Sequence, residues 1–255
     1  MKIKREKLGI IQSRGLGDIF IALPIAYYYH CQDRAVYWPI CTQWVEEMTE
    51  IAPWCTWIPV TPDRGEFFYD RPLELLKQRG CEEIIPLYQA LSGHREFLSE
   101  PYFQHVSFDQ YKYLRAGVPF SEKWQLADCI SRSQEREQAL YDRVRGDNAR
   151  PYIVTHLTAS ESTVELDPGL IPELHDVVPI TNEGYLTDWL TVIERAAAIV
   201  MTDSSMANIV DQLKIPVEKY FIPLHHIQLT PVHTSDWIWL DNPKLNPRAR
   251  IFTSN

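Results

Sequence analysis

"RGLGDIFIALPIAYYYH", residues 14–30, lies where the apolar run "LGIIQS" (8–13) gives way to a helical pattern. Gly15 and Gly17 are able to take backbone angles closed to other residues and to let a ligand approach the chain closely. Asp18 follows them directly, at the start of a helix expected from about Gly17 to Tyr29. A carboxylate there can cap free N–H groups and is favoured by the positive end of the helix dipole, which is sufficient reason for a purely structural N-cap. The dipole is also expected to hold the carboxyl below its ordinary range. Such a group stays ionised and is a weak base that can still take a proton as a hydroxyl oxygen forms a new bond. Pro24 removes one backbone bond from the same helix and is expected to bend its axis. There is no third glycine, so the stretch is not the G-x-G-x-x-G dinucleotide fingerprint, and a Rossmann-type oxidoreductase is disfavoured.

Outward from this turn the first half alternates strand and helix patterns. "AVYWPI" (35–40), a helix near 42–51, "CTWIPV" (55–60), a helix near 70–79 capped by Asp70 and closed by Gly80, and "EEIIPL" (82–87) follow in order. That order predicts a parallel sheet with right-handed crossovers. Residues 88–125 are irregular and aromatic, with one helix expected around 108–116. The polar stretch 131–151 reads as an exposed helix ending near Gly146, followed by a linker.

The alternation then restarts with "YIVTHL" (152–157), "VVPIT" (177–181), a helix over 188–198, "IVMTD" (199–203), a helix from about Ser204 to Lys214, and "VEKYFI" (217–222). The expected organisation is a Rossmann-like domain over 1–148, a second over 149–235, and a tail over 236–255 with a short element returning to the first domain. Two loops of the second half would share the carboxyl edge of its sheet, where open α/β sheets bind ligands. One holds Thr158, Ser160, Ser162 and Thr163. The other is Asp203-Ser204-Ser205 at a helix N-terminus, where hydroxyls and free N–H groups suit a phosphate and equally serve as ordinary caps.

The chain has 255 residues, 45% of them hydrophobic, enough for one large or two compact cores. Its formal charge of -9 repels polyanions unless basic residues cluster, as "KIKREK" (2–7) and "PKLNPRAR" (243–250) would if the termini met. Five cysteines, Cys31, Cys41, Cys55, Cys81 and Cys129, form no C-x-x-C pair and fit reduced thiols in a cytoplasm. No secretory signal begins the chain, and no apolar run approaches the ~18 residues of a membrane span. His225, His226 and His233 match no metal-ligand spacing, and neither a P-loop, a G-x-S-x-G elbow, an H-E-x-x-H motif nor a D-x-D pair is present.

Taken together, "RGLGDIFIALP" after the first strand, "HLTAS" (156–160) and "MTDSSMANIVDQLKIPV" (201–217) resemble the heptosyltransferase-like family of glycosyltransferases, family nine, with the GT-B fold. The resemblance implies two Rossmann-like domains facing across a cleft. It implies an acceptor on the N-terminal domain, a nucleoside-diphosphate sugar on the C-terminal one, and inverting displacement at the anomeric carbon with neither metal nor cofactor. The family's general base in the Gly-Asp turn corresponds to Asp18, with Gly15 and Gly17 beside the sugar and diphosphate. Its Asp-Thr-Gly-x-x-His diphosphate pattern reads here Asp203-Ser204-Ser205-Met206-Ala207-Asn208, so that Ser205 replaces the glycine and Asn208 the histidine. Thr158 and Ser160 match phosphate-touching positions, and Glu183 is the nearest match to the acidic residue that meets the ribose. The chain is shorter than is usual in the family.

The implied acceptor is a bacterial surface glycan, lipopolysaccharide or capsule, modified from the cytoplasm. A rival on the same scaffold is a phage enzyme glycosylating hydroxymethylated DNA in an infected host. The compact length and basic ends permit it, the net charge opposes it, and steep salt dependence would mark it. A rival of another class is a non-catalytic nucleotide-binding protein, against which the intact Gly17-Asp18 pair speaks.

Overall fold

A computed structural model describes residues 5–62, 68–88, 106–159, 163, 164, 166, 174–224 and 236–240. In the N-terminal half, strands β1 (Lys7–Ile11), β2 (Ala35–Cys41), β3 (Thr56–Val60) and β4 (Glu83–Pro86) form a parallel sheet in the order β3-β2-β1-β4. Helices α1 (Leu16–Cys31), α2 (Val45–Ile51) and α3 (Asp70–Gln78) occupy the crossovers, and α4 (Phe108–Ala116) and α5 (Leu126–Cys129) follow β4. From β1 the chain goes through α1 to β2 on one side, whereas β4 pairs on the other. The carboxyl end of β1 is therefore a topological switch point, and residues 12–15 lie at it.

The local physics explains why this sheet closes so tightly around β1. Leu8 and Ile10 of β1, Phe20 and Leu23 of α1, and Trp38 of β2 are fully buried, each such apolar burial worth about 1.5–3 kcal/mol. At Gly9 a Cβ would stand 2.8 Å from a Leu76 methyl, so glycine in β1 is what lets α3 approach. Helix α1 runs through Pro24, and the Tyr113 hydroxyl of α4 donates to the Ile21 carbonyl at 2.9 Å, next to the Phe20 carbonyl that proline deprives of its helical donor. Helix α4 lies where the sequence predicts it, its start fixed by Gln110 Oε1 accepting the Ser107 N–H at 3.0 Å. Asp70 is the first residue of α3 and not its cap, a position held by Tyr69.

The C-terminal half carries a second parallel sheet, ordered β6-β5-β7-β8-β9, from β5 (Tyr152–His156), β6 (Asp176–Pro179), β7 (Ala198–Thr202), β8 (Glu218–Ile222) and β9 (Trp237–Trp239). Helices α6 (Gln134–Arg145), α7 (Leu190–Glu194) and α8 (Ser205–Leu213) complete it. Strand β5 stands between β6 and β7, so its carboxyl end and that of β7 flank the second switch point.

One boundary differs from the one expected. The compact units are Met1–Ser131 and Arg132–Asn255, so the division precedes α6 and does not fall at residue 148. The reason is a buried polar cluster: Arg132 bonds both oxygens of fully buried Glu137 at 2.9 and 2.6 Å, reaches Glu194, and is joined by the Thr191 hydroxyl donating to Glu137 at 2.7 Å. These bonds tie α6 to α7, and the exposed helix expected over this stretch buries Glu137, Leu140 and Arg145. The tail expected over 236–255 begins with one short described element. It is β9, which pairs with β8, with Trp237 Nε1 donating to Asp211 of α8 at 3.0 Å. Residues 241–255 lie outside the described residues.

Candidate functional site

The loop after β1 is held by bonds from three directions. Trp38 Nε1 donates to the Gln12 carbonyl at 3.0 Å, and the Gln12 side-chain amide donates to the Arg14 carbonyl at 2.8 Å. The Tyr88 hydroxyl accepts the N–H groups of Ser13 and Arg14 at 2.9 and 3.1 Å. Gly15 then turns the chain into α1 with φ of 82°, and a Cβ there would collide with the Asp18 carboxylate. Glycine is thus required at 15 both by its backbone angle and by the close approach of Asp18. Gly17 differs from the expectation: it lies inside α1 and is not among the positive-φ glycines.

Asp18 is the third residue of α1, while Gly15 holds the cap position and no side chain caps the helix. The carboxylate is therefore not an N-cap; it folds back beside Gly15 with a quarter of its side chain exposed. Its Oδ1 lies 3.6 Å from Nζ of Lys112, a lysine of α4 that is 99% buried. That distance makes an ion pair and exceeds a hydrogen bond. Burial pushes the Asp18 carboxyl above the ordinary carboxylate range and the Lys112 ammonium pulls it partly back. The direction is opposite to the one expected from the helix dipole, because desolvation outweighs the dipole here.

Lys112 is the charged neighbour of Asp18 that sequence reasoning missed. Its Nζ also donates to Gln12 Oε1 at 2.7 Å and stands 4.3 Å from the centroid of Phe108. Burial lowers its own affinity for a proton, opposed chiefly by Asp18. A second buried pair lies beside it, Asp109 with Lys123 at 2.7 Å, both fully enclosed. In the sequence Lys112 is one cation in "DQYKYLR", and only the packing of α4 on α1 reveals which acid it meets.

At the second switch point Ser204 caps α8, its hydroxyl accepting the Ala207 N–H at 3.2 Å. The same oxygen lies 2.9 Å from Nδ1 of His156, at the end of β5. Either atom can be the donor in this bond; when the Ser204 hydroxyl donates to Nδ1, the ring proton of a neutral His156 sits on Nε2. Burial lowers the His156 pKa and favours that neutral form. The first-turn amides of Ser205 and Met206 have no intrahelical acceptor. The result is a set of neutral donors at a helix N-terminus, suited to an anion. Nothing in the sequence beyond its place before the hydroxyl-rich loop singled out His156.

The other expected residues fall less uniformly. Asp203 is occupied with structure, its Oδ2 accepting the Leu224 N–H at 2.7 Å. The Met206 side chain is fully buried, so only its backbone is available. Asn208 turns back on its own helix, Nδ2 donating to the Ser204 carbonyl at 3.2 Å, and its buried Oδ1 has no hydrogen-bond partner. Thr158 is exposed and bridges Thr163 across an antiparallel turn. Glu183 lies in the loop after β6, half exposed and paired with Arg143 at 2.8 Å. Ser160, His225, His226 and His233 lie outside the described residues, as do residues 1–4 of the N-terminal basic run. Of that run, Arg5 pairs with Asp33 at 2.6 Å and Lys7 donates to the Arg79 carbonyl at 2.6 Å. Among the described residues no cluster of three or more His, Cys, Asp or Glu could hold a metal ion, and no helix is long and apolar enough to cross a membrane.

No protein-family model matches the sequence, and comparison with curated proteins gives no significant match. Solved structures do match in fold. A glycosyl transferase of family 9 from Veillonella parvula aligns with a TM-score of 0.58 at 12% identity, covering 96% of this chain and 88% of that one. The ADP-heptose lipopolysaccharide heptosyltransferase II of Escherichia coli aligns with a TM-score of 0.56 at 13% identity, over 92% of this chain and 90% of that one. TibC of enterotoxigenic E. coli, a dodecameric iron-containing heptosyltransferase solved with ADP-heptose, aligns with a TM-score of 0.55 at 10% identity, over 93% of this chain and 63% of that one. The fold expected from the three motifs, mixed α/β of the GT-B class, is the fold of these glycosyltransferases.

Proposed function

We propose that the chain is an inverting, metal-independent glycosyltransferase that moves a sugar from a nucleoside-diphosphate sugar to an acceptor hydroxyl. The observation that carries this reading is the Asp18 carboxylate, partly exposed at the β1 switch point beside Gly15 and compensated by Lys112 without being hydrogen-bonded to it. A carboxylate so placed has oxygen lone pairs free to accept a proton.

In the proposed step the acceptor oxygen attacks the anomeric carbon as its proton passes to Asp18. The bond from that carbon to the diphosphate oxygen breaks, and the electron pair leaves with the nucleoside diphosphate. One displacement at one carbon inverts its configuration. The leaving charge is met by the Ser205 and Met206 amides, the Ser205 hydroxyl and Nε2–H of His156, with Thr158 and Ser160 as further phosphate contacts. Fixed dipoles of this kind stabilise developing charge without a metal ion, and holding both substrates in place supplies much of the acceleration. Asp203 and Asn208 serve by shaping the loop, and Glu183 would meet the ribose by exchanging its Arg143 partner for a ribose hydroxyl.

The fold shared with an ADP-heptose heptosyltransferase and with TibC supports a nucleoside-diphosphate sugar as donor. We place the acceptor among bacterial surface glycans made from the cytoplasmic side, since a net charge of -9 disfavours DNA. The test is a melting-temperature panel of nucleotide-sugars headed by ADP-heptose. A true donor at about 100 times its Kd stabilises the fold by about 2.7 kcal/mol. A panel in which no nucleotide-sugar shifts the transition would remove this reading.

A further inference from the structure

We propose that Lys112 is the positioning residue of the Asp18 site: its buried ammonium keeps the carboxylate ionised and oriented, and ties that charge through Gln12 to the shape of the glycine loop. The inference rests on the reading of Asp18 as the base.

Lysine is almost never fully buried unless paired, and Lys112 has its carbonyl-oxygen acceptors and its counter-charge on different elements. Gln12 Oε1, from the loop after β1, accepts at 2.7 Å, and the other end of the same amide donates to the Arg14 carbonyl. The Leu87 carbonyl, beyond β4, lies at 3.4 Å and Asp18 Oδ1, from α1, at 3.6 Å. Phe108 of α4 closes one side. The other buried acid nearby, Asp109 of α4, is held by Lys123. Asp18 is therefore the charge that Lys112 compensates. Among the described residues the remaining ionisable group facing this cluster is the Tyr88 phenol, which burial keeps protonated.

The geometry separates two tasks. At 3.6 Å the ammonium acts on the carboxylate by charge, while its hydrogen bonds go to neutral oxygens. Asp18 is thus kept anionic with its proton-accepting lone pairs unspent. Without Lys112, burial would act on the carboxyl unopposed and push its pKa further up, leaving less of the anion that takes a proton from an acceptor.

The test reads the ionisation of Asp18 without any substrate. Carbon-13 NMR follows the aspartate carboxyls of labelled protein, and the Asp18 resonance is the one lost in Asp18→Asn. In Lys112→Met its titration midpoint is expected to rise by at least about one pH unit, a change that lost packing alone would not produce. An unmoved midpoint overturns the proposal. If Lys112→Met does not fold, Asp18→Asn/Lys112→Met decides. Recovery of folding in the double variant shows that the stranded charge of Asp18 was the fault, whereas a double variant equally unfolded makes Lys112 a scaffold residue and overturns the role. Failure of the underlying reading looks different. Transfer retained in Asp18→Asn removes the base, whatever the titration in Lys112→Met shows.

Discussion

The loops at the two switch points occupy equivalent places in similar parallel sheets and are built from opposite chemistry. The loop after β1 is organised by buried charge, Asp18 with Lys112 and, behind them, Asp109 with Lys123. The loops after β5 and β7 are organised by neutral groups, His156 on the Ser204 hydroxyl and that hydroxyl on the Ala207 amide. The second unit has its own buried ion pair, Glu137 with Arg132, but it joins α6 to α7 and takes no part in those loops. The contrast is what the proposed division of labour between the loops requires. A site that accepts a proton needs an anion kept from neutralising itself, whereas a site that receives a diphosphate needs donors without a competing anion.

The largest effect that would sharpen this contrast is on stability in the first unit. Lys123→Met removes the ammonium that meets Asp109 Oδ2 while the carboxylate stays enclosed, and denaturant titration is expected to register a loss of about 3–5 kcal/mol, most of it recovered in Asp109→Asn/Lys123→Met. At the neutral loop Ser204→Ala removes a cap and is expected to cost about 0.5–2 kcal/mol in the same titration. A loss at Ser204 as large as that at Lys123 would break the contrast.

The pH dependences of the two loops have opposite signs. Burial lowers the His156 pKa in the folded chain, so the unfolded chain binds the proton first, and stability is lost as pH falls below the ordinary histidine range of about 6.5. Burial raises that of Asp18, so the folded chain binds its proton first, and this group adds stability as pH falls through its folded value. His156→Gln should therefore reduce the acid-side loss, by at most about 1.4 kcal/mol per pH unit, when melting temperatures are compared between pH 7 and 5. An unchanged profile would remove His156 as the titrating group. The smallest effect is at Glu183, whose pair with Arg143 is half exposed. Glu183→Gln is expected to change stability by about 0–1 kcal/mol while weakening donor binding in calorimetry. Unaltered donor affinity would strike Glu183 from the site.

Much of this was legible in the sequence, for identifiable reasons. Strands such as β1, β5 and β7 are apolar runs broken by glycine or small hydroxyl residues, and that punctuation reads directly as a strand meeting a helix. The Gly15 turn and the Ser204 cap were visible because their chemistry is local. What the sequence hid was non-local. Asp18 reads as a cap until Gly15 is seen to hold the cap position and α1 to begin at Leu16, and its ionisation follows the helix dipole until Lys112, ninety-four positions later, and the surrounding burial are in place. Helix α6 looks exposed because Glu137 and Arg145 are charged, and its place in the second unit depends on Arg132 and Glu194 converging on it. Strand β9 is only three residues long and is recruited by β8, a choice that no short window encodes.

The most direct measurement compares transfer by the unaltered chain and by Asp18→Asn, using the nucleotide-sugar that most raises the melting temperature and following release of the nucleoside diphosphate. Loss of turnover by about 10²–10⁴-fold, with donor affinity held within a few-fold, is the expected result. Turnover undiminished in Asp18→Asn would contradict the assignment of a proton-accepting site to the loop after β1.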